Sequence, residues 1–116
     1  MSIIYQQPKL HGIADIKFFI LKNDIVSATE GIIALSMYGE NRIEIFNFLK
    51  NILFLCDNEN IKSACVKSMS HIVRIDKYID DELLKILDIL NANEYYQGSI
   101  SDLMNDIEIF CKNYKT

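Results

Sequence analysis

Residues 55–69 read LCDNENIKSACVKSM, and the assignment of this stretch decides the fold. Asp57 lies in a turn. From Asn58 or Glu59 onward, Ile61, Cys65 and Ile72 recur on one side of a helix that reaches Ile75. The same letters run on into Ser68, Met69, Ser70 and His71, so a thiol, hydroxyls and an imidazole fall close together, as a nucleophile and base would. On an α-helix, however, Cys65 and His71 stand about 120° apart around the axis and about 9 Å apart along it. The imidazole cannot activate that thiol. His71 is within reach of Ser68, but a Ser–His pair lacks a third group and an oxyanion site, and Lys67 and Arg74 flank it. The stretch is scaffold. His11, the other histidine, falls near the start of the first helix, where a capping or surface role is expected.

Working outward, the apolar period is helical almost throughout. A first helix is expected from about His11 to Lys22. A second follows from Asn23 or Asp24 and stops at Gly39, read as the C′ glycine. The third spans about Asn41 to Cys56 and the fifth about Ile79 to Asn91. After a loop NANEYYQG comes a last helix with Ser99 as N-cap and Asp102 closing a capping box. No segment alternates long enough to compete as a strand. The fold class is all-α: about six helices in three antiparallel pairs, near 11–38, 41–75 and 79–114, within one domain over 1–116.

The pairs repeat. Ile25 falls on Ile61, Ser27 on Ser63, Ala28 on Ala64 and Ile33 on Met69, a shift of 36 positions, and LLKILDIL from Leu83 matches FLKNILFL from Phe48. Helix pairs at such a period are the mark of stacked α-repeats. With Asp57 in the turn, then Ile61, Lys62, Ala64 and Met69, the chain resembles HEAT-type repeats; KNDIVSATEGIIAL is the second-best copy. The resemblance implies a superhelical stack or a compact bundle of the same pairs.

Composition bounds the function. At 116 residues, half of them hydrophobic, the chain supports a single core without disulfides. Cys56, Cys65 and Cys111 are widely spaced among apolar neighbours, as reduced core thiols are, and no spacing suits zinc. The start MSIIYQQPK has no signal-peptide pattern, and Ile43–Cys56 is too short and too polar to span a bilayer, so a cytoplasmic protein is expected. No phosphate-binding glycine loop, metalloprotease motif or calcium loop occurs. Neither a catalytic residue nor a cofactor nor a metal is expected.

Charge is unevenly placed. Between Asp76 and Glu108 there are nine acids against Lys77 and Lys85, a local charge of −7 within a total of −4. Asp80, Asp81 and Glu82 open a helix, where each stabilises the dipole by about 0.3–1 kcal/mol. Asp102 and Asp106 are four apart and repel, and between these groups lie Glu94, Tyr95 and Tyr96 in a loop too polar to be buried whole. Tyrosines beside carboxylates make binding hot spots. These eight residues form the candidate partner-binding surface. Its sign disfavours nucleic acid and acidic membranes and favours a basic protein partner.

Two functions follow. The first is a non-catalytic inhibitor; in size, acidity and lack of catalytic motifs the chain resembles small bacterial immunity proteins, including those of contact-dependent growth inhibition systems. That resemblance implies a monomer binding a basic toxin domain, of nuclease type, in a 1:1 complex, with carboxylates in the places of substrate phosphates. The alternative is a HEAT-like adaptor joining two proteins.

Overall fold

The computed structural model describes residues 12–111; His11 and the expected last turn beyond Cys111 lie outside them. Six helices account for the described residues, with no strand among them: α1 (Ile13–Leu21), α2 (Ile25–Tyr38), α3 (Arg42–Leu55), α4 (Glu59–Asp76), α5 (Asp81–Leu90) and α6 (Glu94–Phe110). The all-α class expected from periodicity is the class observed.

Helix starts follow from capping chemistry. Asp24 accepts from Ser27 N–H at 3.2 Å, Asn58 from Ile61 at 3.0 Å, Asp80 from Leu83 at 2.9 Å and Asn93 from Tyr95 at 2.9 Å. Each cap satisfies a donor the helix leaves open and contributes about 1 kcal/mol. Lys77 ends α4 with φ 54°, the left-handed conformation that terminates helices.

The even-numbered helices form one layer, with α2 against α4 and α4 against α6. Of the odd-numbered helices, α1 rests on α2, α3 on α4, and α5 bridges α3 and α6. Central α4 therefore buries the broadest face, including Ile61, Cys65, Met69 and Ile72, each at most 1% exposed. Burial of a side chain of that size contributes about 1.5–3 kcal/mol. This is why the reading of residues 55–69 settles the fold.

Arg42 locks two helix ends together. Its guanidinium donates to Ser36 O (2.8 Å) and Gly39 O (3.1 Å), carbonyls at the end of α2, and to both carboxylate oxygens of Asp76 at the end of α4 (3.1 and 3.0 Å). One fork thus satisfies orphan carbonyls and an ion pair at once.

Three details differ from the sequence expectation. First, α6 starts at Glu94 rather than after Ser99, so residues 94–98, read as loop, are helical and Ser99 lies inside the helix. Gly98 argues locally against helix, but Tyr96 and Ile100 are four apart and both buried, and that packing wins.

Second, Gly39 is not left-handed: its φ is −67°. Glycine is needed there for space, because a Cβ would sit 2.7 Å from Leu35 O and against the Ile45 side chain. At Gly98 a Cβ would meet nothing within 4 Å. Gly39→Ala is therefore expected to destabilise by about 1–3 kcal/mol through overpacking. Gly98→Ala is expected to stabilise by about 1 kcal/mol through helix propensity. Urea titrations of the two variants should move in opposite directions.

Third, the repeat register slips. Buried Ala28, Gly31, Ile32, Leu35 and Ser36 match Ile61, Ala64, Cys65, Ser68 and Met69, all buried, at a spacing of 33 rather than 36. In the sequence register buried Gly31 would fall on exposed Lys67. A slip of three residues is close to one helical turn, so the apolar pattern alone barely distinguishes the two.

Candidate protein-binding surface

The stretch SACVKSMSH is scaffold in the structure as well. Cys65 is fully buried; burial, and secondarily Cys56, push its thiol far above the ordinary range, which removes the thiolate a nucleophile needs. Ser68 is also fully buried and its hydroxyl has no hydrogen-bond partner, so it is not paired with His71. Cys56, Cys65 and Cys111 are all free thiols. Among the described residues no group of three or more His, Cys, Asp or Glu is placed to hold a metal, and no helix is long and apolar enough to cross a membrane.

The acidic segment does not form one face. Its carboxylates divide according to whether a cation already neutralises them. Asp76 belongs to Arg42. Asp80 lies 2.6 Å, and Glu82 2.8 Å, from Lys50 Nζ, whose side chain is only 9% exposed and also stands 5.2 Å from the centre of the Phe46 ring. Burial works against that ammonium, but hydrogen bonds and charge from Asp80 and Glu82 outweigh it and hold its pKa above the ordinary lysine value. Asp106 is buried and pairs with Arg74 at 3.1 Å. Asp80 and Asp106 are thus engaged in tying helices together. Asp81 is exposed beside this network in the first turn of α5.

Asp102 and Asp106 share an open groove between α4 and α6 with Lys67, His71 and Arg74. Burial, then the Arg74 charge, lower the His71 pKa, and Asp106 opposes them. The imidazole is therefore easier to protonate in the unfolded chain. Its contribution to stability is present above the ordinary histidine pKa and is lost as pH falls through the lower folded value. Urea midpoints should fall between pH 7 and 5, and His71→Gln should flatten that slope.

The two tyrosines part company. Tyr96 is 3% exposed, packed into the core beneath the start of α6; burial, then Glu59, Tyr95 and Cys56, raise its pKa. Tyr95 is 49% exposed, meets Tyr96 edge-on at 5.0 Å and donates its hydroxyl to Asn60 at 3.3 Å, which fixes its ring on the surface. The expectation that both lie in a polar loop holds for neither. A helix start places one outward and its neighbour inward.

Around Tyr95 the structure adds residues the charge count missed. The α3–α4 turn and the α5–α6 turn stand side by side and enclose an open groove of about 640 Å³, lined by Asp57, Glu59, Lys62, Ile89 and Glu94 among others. Asp57, Glu59 and Glu94 make no ion pair among the described residues, and Ile89 is 70% exposed. The dipoles of α4 and α6 partly offset these charges, but three acids against Lys62 leave the groove negative. Asp57 and Glu59 lie outside the acidic segment in sequence. The signal that would have found them is that successive helix-pair turns fall at the same end of a layered fold.

Such a surface can receive cationic and apolar side chains together. Six helices in two layers, with carboxylates at one end that make no ion pair among the described residues, define an all-α domain of a known kind. Its fold is similar to that of a chain in the crystal structure of a CDI complex from Cupriavidus taiwanensis LMG 19424, with TM-score 0.63 and 22% identity, covering 94% of this chain and 98% of that one. At that identity the likeness concerns the fold. No protein-family model and no curated protein matches the chain.

Proposed function

We propose that this chain is a non-catalytic, protein-binding inhibitor: an immunity protein of a contact-dependent growth inhibition system that neutralises a basic toxin, of nuclease type, in the bacterial cytoplasm. The observation that carries the reading is the groove at the α3–α4 and α5–α6 turns, where Asp57, Glu59 and Glu94 outnumber Lys62 and make no ion pair among the described residues, with Ile89 exposed at the groove and Tyr95 exposed next to Glu94 in sequence. The fold shared with a chain of a CDI complex supports the same class of partner.

Inhibition needs no chemistry from the inhibitor. The cations that line a nuclease cleft are arranged for phosphate oxygens, and carboxylates present the same sign and the same acceptors. Tyr95 supplies contact area at little cost in conformational entropy, since its ring is already held by Asn60. Asp102 is exposed two turns further along α6, and Asp81 and Glu82 are exposed at the start of α5; these three add negative charge away from the groove.

The test is a tagged-bait capture from the native organism at moderate salt, identified by mass spectrometry. A small basic protein recovered 1:1, toxic alone and silenced by this chain, is the expected result. Recovery of two larger proteins held together with their activities intact would replace inhibition with an adaptor role.

A further inference from the structure

Among the described residues, the first helix is the most apolar and the least covered. Seven of the nine residues in IADIKFFIL are apolar, yet only Ile16 is fully buried, and Phe18 and Leu21 are 55% and 84% exposed. A helix apolar nearly all round is stable when something covers it. Between α1 and α3 the structure leaves an open groove of about 730 Å³, with Ile13, Ile20, Phe48 and Ile52 along it and Leu21 and Leu55 at its edge. The other flank of α3 is closed against the α5 side, by Phe46 edge-on to Tyr78 at 5.2 Å and by Lys50 on Asp80.

This apolar groove and the acidic one share a lining residue. Asp57 lines both, at the point where α3 gives way to the turn before α4. The edge of the apolar groove carries Glu44 as well as Asp57, against Lys17. From the one groove to the other the lining changes from mostly apolar to mostly anionic, with Asp57 common to both.

Resting on the inhibitor reading above, we propose that the two grooves receive one continuous segment of the toxin, with apolar side chains between α1 and α3 and basic side chains over Asp57, Glu59 and Glu94. The shared Asp57 and the charge together choose the occupant. A second copy of this acidic chain would bring like charge to the anionic end, and a purely basic segment would leave the apolar groove wet. Apolar anchors flanked by charged contacts are a recurring form of groove recognition.

The test uses the full chain, labelled with ¹⁵N, and two synthetic peptides. One is oligoarginine; the other carries leucines at helical spacing leading into the same arginines. Oligoarginine is expected to shift the amides of Glu59 and Glu94. The leucine–arginine peptide should shift these together with Ile20 and Leu55, and bind about tenfold more tightly or better, the return for burying two or more leucines partway. Leu21→Ser combined with Leu55→Ser, neutral changes at exposed positions, should abolish the difference and leave oligoarginine binding unchanged.

Equal affinity of the two peptides, or no effect of the double variant, overturns the single-segment proposal while the acidic groove stands. Failure of oligoarginine to bind removes the acidic groove itself, and with it the reading on which the proposal rests. A concentration-dependent dimer abolished by the leucine substitutions assigns the groove to a second copy instead.

Discussion

Lys50→Glu is expected to lower the unfolding free energy by about 3–5 kcal/mol, the cost of stripping a buried charge network of its counter-ion. The wild-type ammonium lies 2.6 Å from Asp80 and 2.8 Å from Glu82, and its stem runs through the contact between α3 and α5. The substitution would put a third carboxylate where the cation shared by Asp80 and Glu82 had been. Asp80 also caps α5 through Leu83 N–H, so repulsion there loosens the helix start as well as the ion pair. Lys50→Met separates the two contributions. It keeps the buried stem and removes only the charge, and Glu82, 70% exposed, can turn to water. A loss of about 1 kcal/mol is expected, measured by urea unfolding with the slope unchanged.

The same site sets an alkaline limit with a definite sign. Because the folded-state pKa of Lys50 is raised, its contribution is fully present below the ordinary lysine pKa and is lost as pH rises through the higher folded value. Stability should hold steady up to the ordinary lysine pKa on account of this group and fall above it. In Lys50→Met that alkaline fall should shrink.

These ion pairs mark where the sequence could be read and where it could not. Helix number and type were legible because each helix carries its own apolar period and all but α1 have an Asp or Asn at the start, both local signals. The scaffold role of Cys65 was legible for the same reason, from angles around a single helix. The division of the carboxylates was not. Asp76, Asp80 and Asp106 find their cations 34, 30 and 32 positions away, on other helices, and no local pattern announces which acid meets which base. Counting charge along the chain therefore placed Asp80 and Asp106 on a binding surface, whereas the structure engages them internally. The start of α6 was misplaced because Gly98 and Ser99 look like a helix boundary, while the burial of Tyr96 against the core is a tertiary fact. Gly39 was recognised as special for the wrong reason. A glycine at a helix end reads as a left-handed cap, and only the packed Ile45 and Leu35 reveal that the constraint is space.

The acids that remain unpaired carry the strongest functional prediction. Glu59→Lys with Glu94→Lys is expected to weaken binding of the toxin by about a hundred- to thousandfold, since each close charge pair at a protein interface is worth about 1.5 kcal/mol or more and reversal adds repulsion. Both side chains are exposed and neither makes an ion pair among the described residues, so thermal midpoints should move little; the main penalty is a lost negative charge in the first turn of each helix. Asp106→Lys supplies the contrast. It breaks the pair with Arg74 and places an ammonium at a buried position, so stability should fall whether or not binding changes. The association rate of the wild type should drop steeply with added salt, and the double variant should lose most of that dependence, because the reversed charges no longer steer the partner. Calorimetric titration and stopped-flow association at two salt concentrations read both quantities. If affinity and salt dependence survive the double reversal intact, the toxin does not dock at the acidic groove.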